Sequence, residues 1–319
     1  MNVTRLARTL AAAALIACGG GPARSSGTPW QFEPIASIGT RGTEAGQFEY
    51  VEDLALTRDG RILATDAAHA WVQAFDKTTG RFLGRFGGRG DEDHHLERPE
   101  GIAVDEAGNV FVADHASGFI KKYDPAFRWL VTFGGYGAGA GQTMRSEFMD
   151  IHGGRLFVPE AGTHRVSVFD LDGAHVRAFG RRGAGPGEFD SPEAAKVSPD
   201  GRLFVTDLRN DRLQVFDPEG RLLAVWGRTG TGPGEFRSPA GLGFDRDGNV
   251  YVSEIGNSRV QVLGPDGRFL GMWGVPGSAP GAFSNLHGVL VDRDTGLVYV
   301  ADTGNFRIQV FRRVGAPSH

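Results

Sequence analysis

The chain holds one cysteine in 319 residues. A disulfide framework, a Cys-rich zinc site and a CxxC redox motif each need at least two, so all three are excluded. A basic excess is also missing: 34 Lys plus Arg face 38 Asp plus Glu, a formal charge of −4. A phosphate backbone recruits the opposite balance, and no nucleic-acid partner is expected. Lysine is scarce, with only Lys77, Lys121, Lys122 and Lys196, so 30 of the basic residues are arginines suited to planar, multi-donor hydrogen bonding. No internal apolar run approaches the ~18 residues of a membrane-spanning helix. Room for long helices is short as well, because 49 Gly and 16 Pro punctuate the chain. What is present is 40% hydrophobic residues, 22 of them Phe, enough for a large core.

The position of the single cysteine is informative. Arg5 and Arg8 precede an apolar stretch, Leu10 to Ala17, in the order of a secretory signal. It ends Leu15-Ile16-Ala17-Cys18, which resembles the lipobox of bacterial lipoproteins. The resemblance implies cleavage before Cys18, lipid attachment to its thiol and membrane anchoring through that lipid. Gly19, rather than Asp, follows the lipid site, which by the same resemblance places the protein on the periplasmic side of the outer membrane of a diderm host. Residues 1–17 are thus expected to be a signal peptide, residues 18–30 a lipidated tether rich in Gly, Ser and Pro, and residues 31–319 the folded body.

Length alone suggests two domains, but one pattern recurs six times between Gln47 and Phe311. An acid closes an apolar segment at Asp66, Asp114, Glu160, Asp207, Glu254 and Asp302, at intervals of 48, 46, 47, 47 and 48 residues. Nine residues after each acid stands a large side chain: Phe75, Tyr123, Phe169, Phe216, Leu263 and Phe311. That step tolerates no insertion, so the length variation lies in turns. Each unit reads as four short strands, as in 240–245, 249–254, 259–263 and 269–274, separated by Asp247-Gly248, Gly256-Asn257 and Asp266-Gly267. The strands are apolar on both faces and need cover on each side. Six four-stranded antiparallel sheets packed around an axis supply it, so the expected fold is all-β, a six-bladed β-propeller. The last unit lacks an outer strand, and residues 35–39 have the pattern of one. The N-terminal strand is therefore expected to pair with 307–311 and close the ring.

The acid-to-aromatic segments Asp207-Leu-Arg-Asn210-Asp-Arg212-Leu-Gln-Val-Phe216 and Asp302-Thr-Gly-Asn305-Phe-Arg307-Ile-Gln-Val-Phe311 resemble the NHL-repeat family of six-bladed propellers. Units three to six carry Arg165, Arg212, Arg259 and Arg307 five residues after the acid, whereas the first two carry Trp71 and Phe119. The equal spacing of the four acid–Arg pairs points to blade-to-blade hydrogen bonding rather than to a ligand ring. Trp71 and Phe119 are either ordinary seam packing or an apolar ligand-binding sector beside the channel mouth. The Gly-rich crossovers, such as Gly183 to Phe189, are followed by strands and not by helices, so they are passages between blades rather than phosphate cradles.

The clearest functional signal lies four residues after Phe48, Leu96, Phe189, Phe236 and Phe283, where Glu52, Glu100, Glu193, Ala240 and His287 begin the inner strands. Aligning the irregular third unit adds Glu147. Four carboxylates and one imidazole would circle the axis at one level, either as solvated charge at a channel mouth or as a site for a divalent cation or cationic ligand. Calcium would suit the carboxylates, and zinc would use His287 with fewer acids. The expected function is a non-enzymatic binding scaffold for a small ligand or protein, carried by a monomeric propeller. The alternative is a metal-assisted lyase or hydrolase at the same mouth. NHL-type propellers resemble amidating lyases with a three-histidine zinc site, but only His287 falls on this inner ring. No Ser-His-Asp constellation is recognisable. Replacing Cys18 by Ser is expected to release the protein from membranes, read by fractionation; a wild-type protein that is already soluble and unlipidated would overturn the lipobox reading.

Overall fold

The computed structural model describes residues 29–315, so residues 1–17 and the tether around Cys18 lie outside the described residues. Within them the six repeats form six four-stranded antiparallel sheets. Blade 1 comprises Val51–Leu56, Arg61–Asp66, Trp71–Asp76 and Phe82–Gly87, counted from the axis outwards. Blade 2 comprises Pro99–Val104, Val110–Asp114, Phe119–Tyr123 and Trp129–Gly134. Blade 3 has a shortened inner strand, Asp150–His152, then Arg155–Glu160, Arg165–Asp170 and His175–Phe179. Blade 4 runs Pro192–Val197, Leu203–Asp207, Arg212–Phe216 and Leu222–Trp226, and blade 5 runs Pro239–Phe244, Val250–Glu254, Arg259–Leu263 and Phe269–Trp273.

Blade 6 is built from both ends of the described chain. Val289–Val291, Val298–Asp302 and Arg307–Val314 are completed by Gln31–Ile38, with Ile38 opposite Ile308 and Gln31 opposite Val314. The closure is longer than residues 35–39 alone, because the last strand continues three residues past Phe311. The body also starts earlier than residue 31. The Trp30 amide donates to the Leu270 carbonyl at 2.8 Å, and the Trp30 ring lies 4.0 Å from the Arg313 guanidinium carbon.

Each blade seam is a repeated packing unit. Phe48, Phe189, Phe236 and Phe283 are fully buried where the crossover enters the next blade. They stack over the glycine that ends the preceding outer strand. At Gly274, φ is +109°, and a Cβ would lie 2.7 Å from the Phe283 ring, so both the backbone region and the ring demand glycine. In the third unit Thr143 takes the seam position: its amide bonds Gly135 O at 3.0 Å and its hydroxyl bonds Gly118 O at 2.7 Å.

The acids that define the repeat are completely buried. They accept backbone amides of the incoming crossover: Asp66 from Glu49 and Tyr50, Asp114 from Glu97 and Arg98, Asp207 from Asp190, Glu254 from Arg237, and Asp302 from Ser284. In blades 3 to 6 the Arg five residues on pairs with the acid and turns its remaining donors to crossover carbonyls. Arg212 reaches Asp207 Oδ2 at 2.7 Å and the carbonyls of Ala184, Gly185 and Glu188 at 2.7 to 2.8 Å. The acid–Arg pairs are therefore architecture. Deleting residues 30–41 is expected to expose the 307–314 edge and to lower the thermal midpoint with aggregation, measured by scanning calorimetry and light scattering; unchanged stability and solubility would rule this closure out.

Candidate functional site at the axial mouth

The inner strands run from the crossover face into the channel, and their first residues lie at its mouth. Their backbone is fixed from the neighbouring blade. The hydroxyls of Thr65 and Thr206 donate to the carbonyls of Glu100 and Ala240 at 2.9 and 2.8 Å, and Ser253 donates to the His287 carbonyl. The seam role of Thr143 puts Glu147 four residues later at the same position. Glu52, Glu100 and Glu147 are buried, Glu193 keeps partial exposure, and His287 is buried.

These side chains interact as one cluster. Burial, followed by the charges of Glu100 and Glu193, drives the Glu52 carboxyl well above the ordinary carboxylate range. Glu147 is driven well up by burial, Glu193 and Glu100. Glu193 rises to about 8 through burial and the charge of Glu100. Glu100 is the exception: burial works to raise it, but the His115 imidazole, a hydrogen bond from Glu147 and the Arg98 charge hold it below the usual range. Glu100 is thus the most acidic of the four, and protonation is favoured at its neighbours.

Two members of this cluster lie off the repeat position. Arg98, two residues before Glu100, donates its Nε–H to the Glu100 carboxylate and lies against the Tyr50 ring. His115, just after the buried acid Asp114, places Nδ1 2.7 Å from Glu100 Oε2 and 3.2 Å from Glu147 Oε1. That buried nitrogen has no directed hydrogen bond to either oxygen. Donor atoms of Glu100, His115 and Glu147 all lie within 4.8 Å of one another, so three potential metal ligands converge. His115 had a sequence signal, since it directly follows a repeat acid, but only the curvature of the ring brings it to the axis.

On the far side of the mouth, His287 Nδ1 sits 3.0 Å from Asn285 O and 2.9 Å from Thr303 Oγ1. A carbonyl partner assigns the proton to Nδ1 and leaves the Nε2 lone pair available. Burial lowers the His287 pKa to about 4, so the ring is neutral at pH 7. Glu52 Oε2 lies 3.6 Å from Nδ1.

Trp71 and Phe119 occupy the Arg positions of their blades. Trp71 donates Nε1–H to Asp66 Oδ2 at 3.4 Å and stacks under Arg85 at 3.6 Å, while His69 pairs with Asp66 at 2.7 Å. Phe119 is exposed and its ring lies beside Gly135. These contacts are at blade seams, and they do not join the two aromatics to the axial carboxylates.

Deeper in the channel, Lys196 Nζ of blade 4 meets Asp53 Oδ2 of blade 1 at 3.0 Å. Blades 1 and 4 face each other across a ring of six, so this ion pair bars the channel. Beneath it opens a separate funnel of about 280 Å³ lined by Leu56, Val104, Phe244 and Leu290, with Asp150 and Asp292. The ion pair thus separates the mouth cluster from this funnel.

Residues 283–311 match the NHL repeat, and residues 195–260 match a family described as a 6-bladed beta-propeller. No curated protein matches the sequence. Among solved structures, an auxiliary nutrient binding protein from Bacteroides thetaiotaomicron is similar at 12% identity with a TM-score of 0.68, covering 89% of this chain and 77% of that one. A catalytically inactive virginiamycin B lyase from Staphylococcus aureus, with quinupristin, is similar at 12% identity with a TM-score of 0.60, covering 91% and 87%. Such likeness concerns the fold.

The raised carboxyls fix the sign of a pH effect. Glu52, Glu147 and Glu193 bind protons in the folded state that the unfolded chain has released, so their stabilisation is complete below about pH 4.5 and is lost as pH rises towards 8 and beyond. His287 acts oppositely, costing stability only as pH falls from 6.5 towards 4. Among the mouth groups, the carboxyls set the slope once pH is above the ordinary histidine range. In chelator, the thermal midpoint is expected to fall by about 5 °C between pH 6.5 and 9, and Glu147→Gln/Glu193→Gln to flatten that slope. An equal slope in the double variant would refute the assignment.

Proposed function

We propose that this protein is a ligand-binding propeller of the cell envelope whose axial mouth holds a divalent cation or a cationic group. The observation that carries this reading is the His115 nitrogen, buried between Glu100 and Glu147 without a directed hydrogen bond, among carboxyls that burial and mutual repulsion raise. A buried carboxylate cluster must take up protons or a cation, and a cation replaces the protons as pH rises. Two carboxylates with an imidazole form a mixed oxygen and nitrogen set of the kind zinc accepts, while Glu52 and Glu193 extend the oxygen set towards calcium. His287 offers a neutral nitrogen on the opposite wall.

The lipobox-like Leu15-Ile16-Ala17-Cys18 supports tethering of the propeller to a membrane through Cys18. The nutrient-binding neighbour supports the scaffold reading, and the lyase neighbour keeps a second one, metal-assisted lyase or hydrolase chemistry at this mouth. The second rests on His287, which stays neutral and is oriented by Asn285 and Thr303 as a general base would be.

Calorimetric titration with Ca²⁺ and Zn²⁺, run beside thermal shift at pH 7.5, tests the site. Wild type is expected to bind one ion at the mouth with a rise in thermal midpoint, and Glu100→Gln/Glu147→Gln to lose that ion and that rise. No binding by wild type, or full binding by the variant, would remove the axial mouth from consideration.

A further inference from the structure

The crossover from blade 1 to blade 2, Gly87 to Leu96, has the same length as Gly180 to Phe189 but different chemistry. One residue before the seam plug, other crossovers carry Gln47, Gln142, Glu188 and Glu235. Each side-chain oxygen there accepts the loop amide three residues earlier, at 2.9 to 3.1 Å. Here the position is His95, whose Nδ1 accepts the Glu92 amide at 3.1 Å. The residue before it is glycine in the other five crossovers (Gly46, Gly141, Gly187, Gly234 and Gly281), and here it is His94. His94 Nδ1 lies 3.3 Å from Glu92 Oε2, and the two imidazole centroids are 4.1 Å apart.

The loop is also held differently. Blades 1, 4, 5 and 6 use Gln73, Gln214, Gln261 and Gln309 to accept the loop glycine amide. Blade 2 has Lys121 at that position, which donates to Asp93 O at 2.7 Å, and the Tyr123 hydroxyl donates to His94 O at 2.9 Å. The backbone carrying both histidines is thus pinned on two sides.

A cavity of about 490 Å³ opens beside it, lined by Phe86, Glu92, His94, Tyr123, Phe127 and Trp129. One of its lining residues has an unusual backbone. Phe127 has φ +63° in the turn where other blades place Gly173, Gly220 and Gly267. At those turns the last aromatic of the preceding blade closes over the glycine: the Phe179 ring lies 2.7 Å from where a Gly220 Cβ would stand. At this seam Phe86 instead stacks on Phe127, centroids 4.6 Å apart and 17° from parallel. A non-glycine residue in this region costs free energy that packing must offset.

We propose that Glu92, His94 and His95 form a second metal site, for a zinc-class divalent cation, with its open coordination positions facing the aromatic-lined cavity. Donor atoms of the three residues lie within 4.8 Å of one another. The 3.3 Å separation of the His94 and Glu92 donors matches the edge of a tetrahedron with metal–ligand distances of about 2.0 to 2.1 Å. Three protein ligands with a vacant fourth position are the pattern of an open zinc site. Ligation by His95 exchanges its contact with the Glu92 amide for the metal, which gives a local spectroscopic reporter. The site is independent of the axial mouth.

The experiment is calorimetric titration with Zn²⁺, and NMR of the Glu92 amide, in the Glu100→Gln/Glu147→Gln background that disables the mouth. This background is expected to bind one Zn²⁺ with a shift of the Glu92 amide. Adding His94→Ala and His95→Gln is expected to weaken binding by at least about tenfold. Gln already fills the His95 position in two other crossovers, so the loop keeps its acceptor, and an unchanged thermal midpoint verifies the fold. A background protein that binds no Zn²⁺, or an outer variant that binds it with unchanged affinity, would overturn the proposal.

Discussion

The structure depends on a carboxylate buried at the end of each second strand. It is fully enclosed in all six blades, where an unpaired charge would be prohibitive. What makes it tolerable is that the amides of the incoming crossover and, in four blades, an Arg fork are delivered to it. The same bonds that satisfy the charge fix where each crossover enters, and therefore where each inner strand begins. The seam phenylalanines and the glycines beneath them fill the space that this geometry leaves. Blades 1 and 2 keep the acid and change its partners: Asp66 takes His69 and Trp71, while Asp114 takes the Ala116 and Ser117 amides at 3.2 and 3.3 Å. Freed from the Arg, these two blades are where the ring departs from its own symmetry.

The axis inverts that logic. At the seams every buried acid has its donors; at the mouth Glu52, Glu100, Glu147 and Glu193 crowd around Arg98 and two imidazoles, and burial with mutual repulsion raises three of the four. Lys196 and Asp53 satisfy one another across the channel, and Asp53 also accepts the Leu54 and Ile102 amides at 2.9 and 3.2 Å. Charge balance is thus achieved in the plug and withheld at the mouth.

The repeat made most of the fold legible. The nine-residue step from the acid spans one tight turn and the third strand, so covalent spacing alone reports it. The closing strand was legible from a missing fourth strand, although its extension to Gln31–Val314 and the pairing of Trp30 with blade 5 were not. Position within the repeat also located the axial carboxylates, including Glu147, where Thr143 replaces the seam phenylalanine. His115, Arg98 and the Lys196–Asp53 pair escaped, because their partners come from different blades and the ring must be bent before they meet. Lys196 did carry a signal: it is one of only four lysines and stands in an inner strand whose other charged residue is the axial Glu193. The cavity under Phe127 had a signal too, in a phenylalanine where sister repeats place glycine, but the local pattern does not say which ring it displaces.

The shared sixth blade has a consequence for the order of events in synthesis. Among the described strands, Gln31–Ile38 is the first made, and its partner Arg307–Val314 is the last. Five blades can assemble from contacts local in sequence, each within one repeat, but the sixth waits for the final segment. Until then the earliest strand is an unpaired edge and the blade 1 face that will meet blade 6 stays open. The pairing of greatest sequence separation is therefore also the one that closes the ring, and non-local pairing of this kind is the sort that forms late.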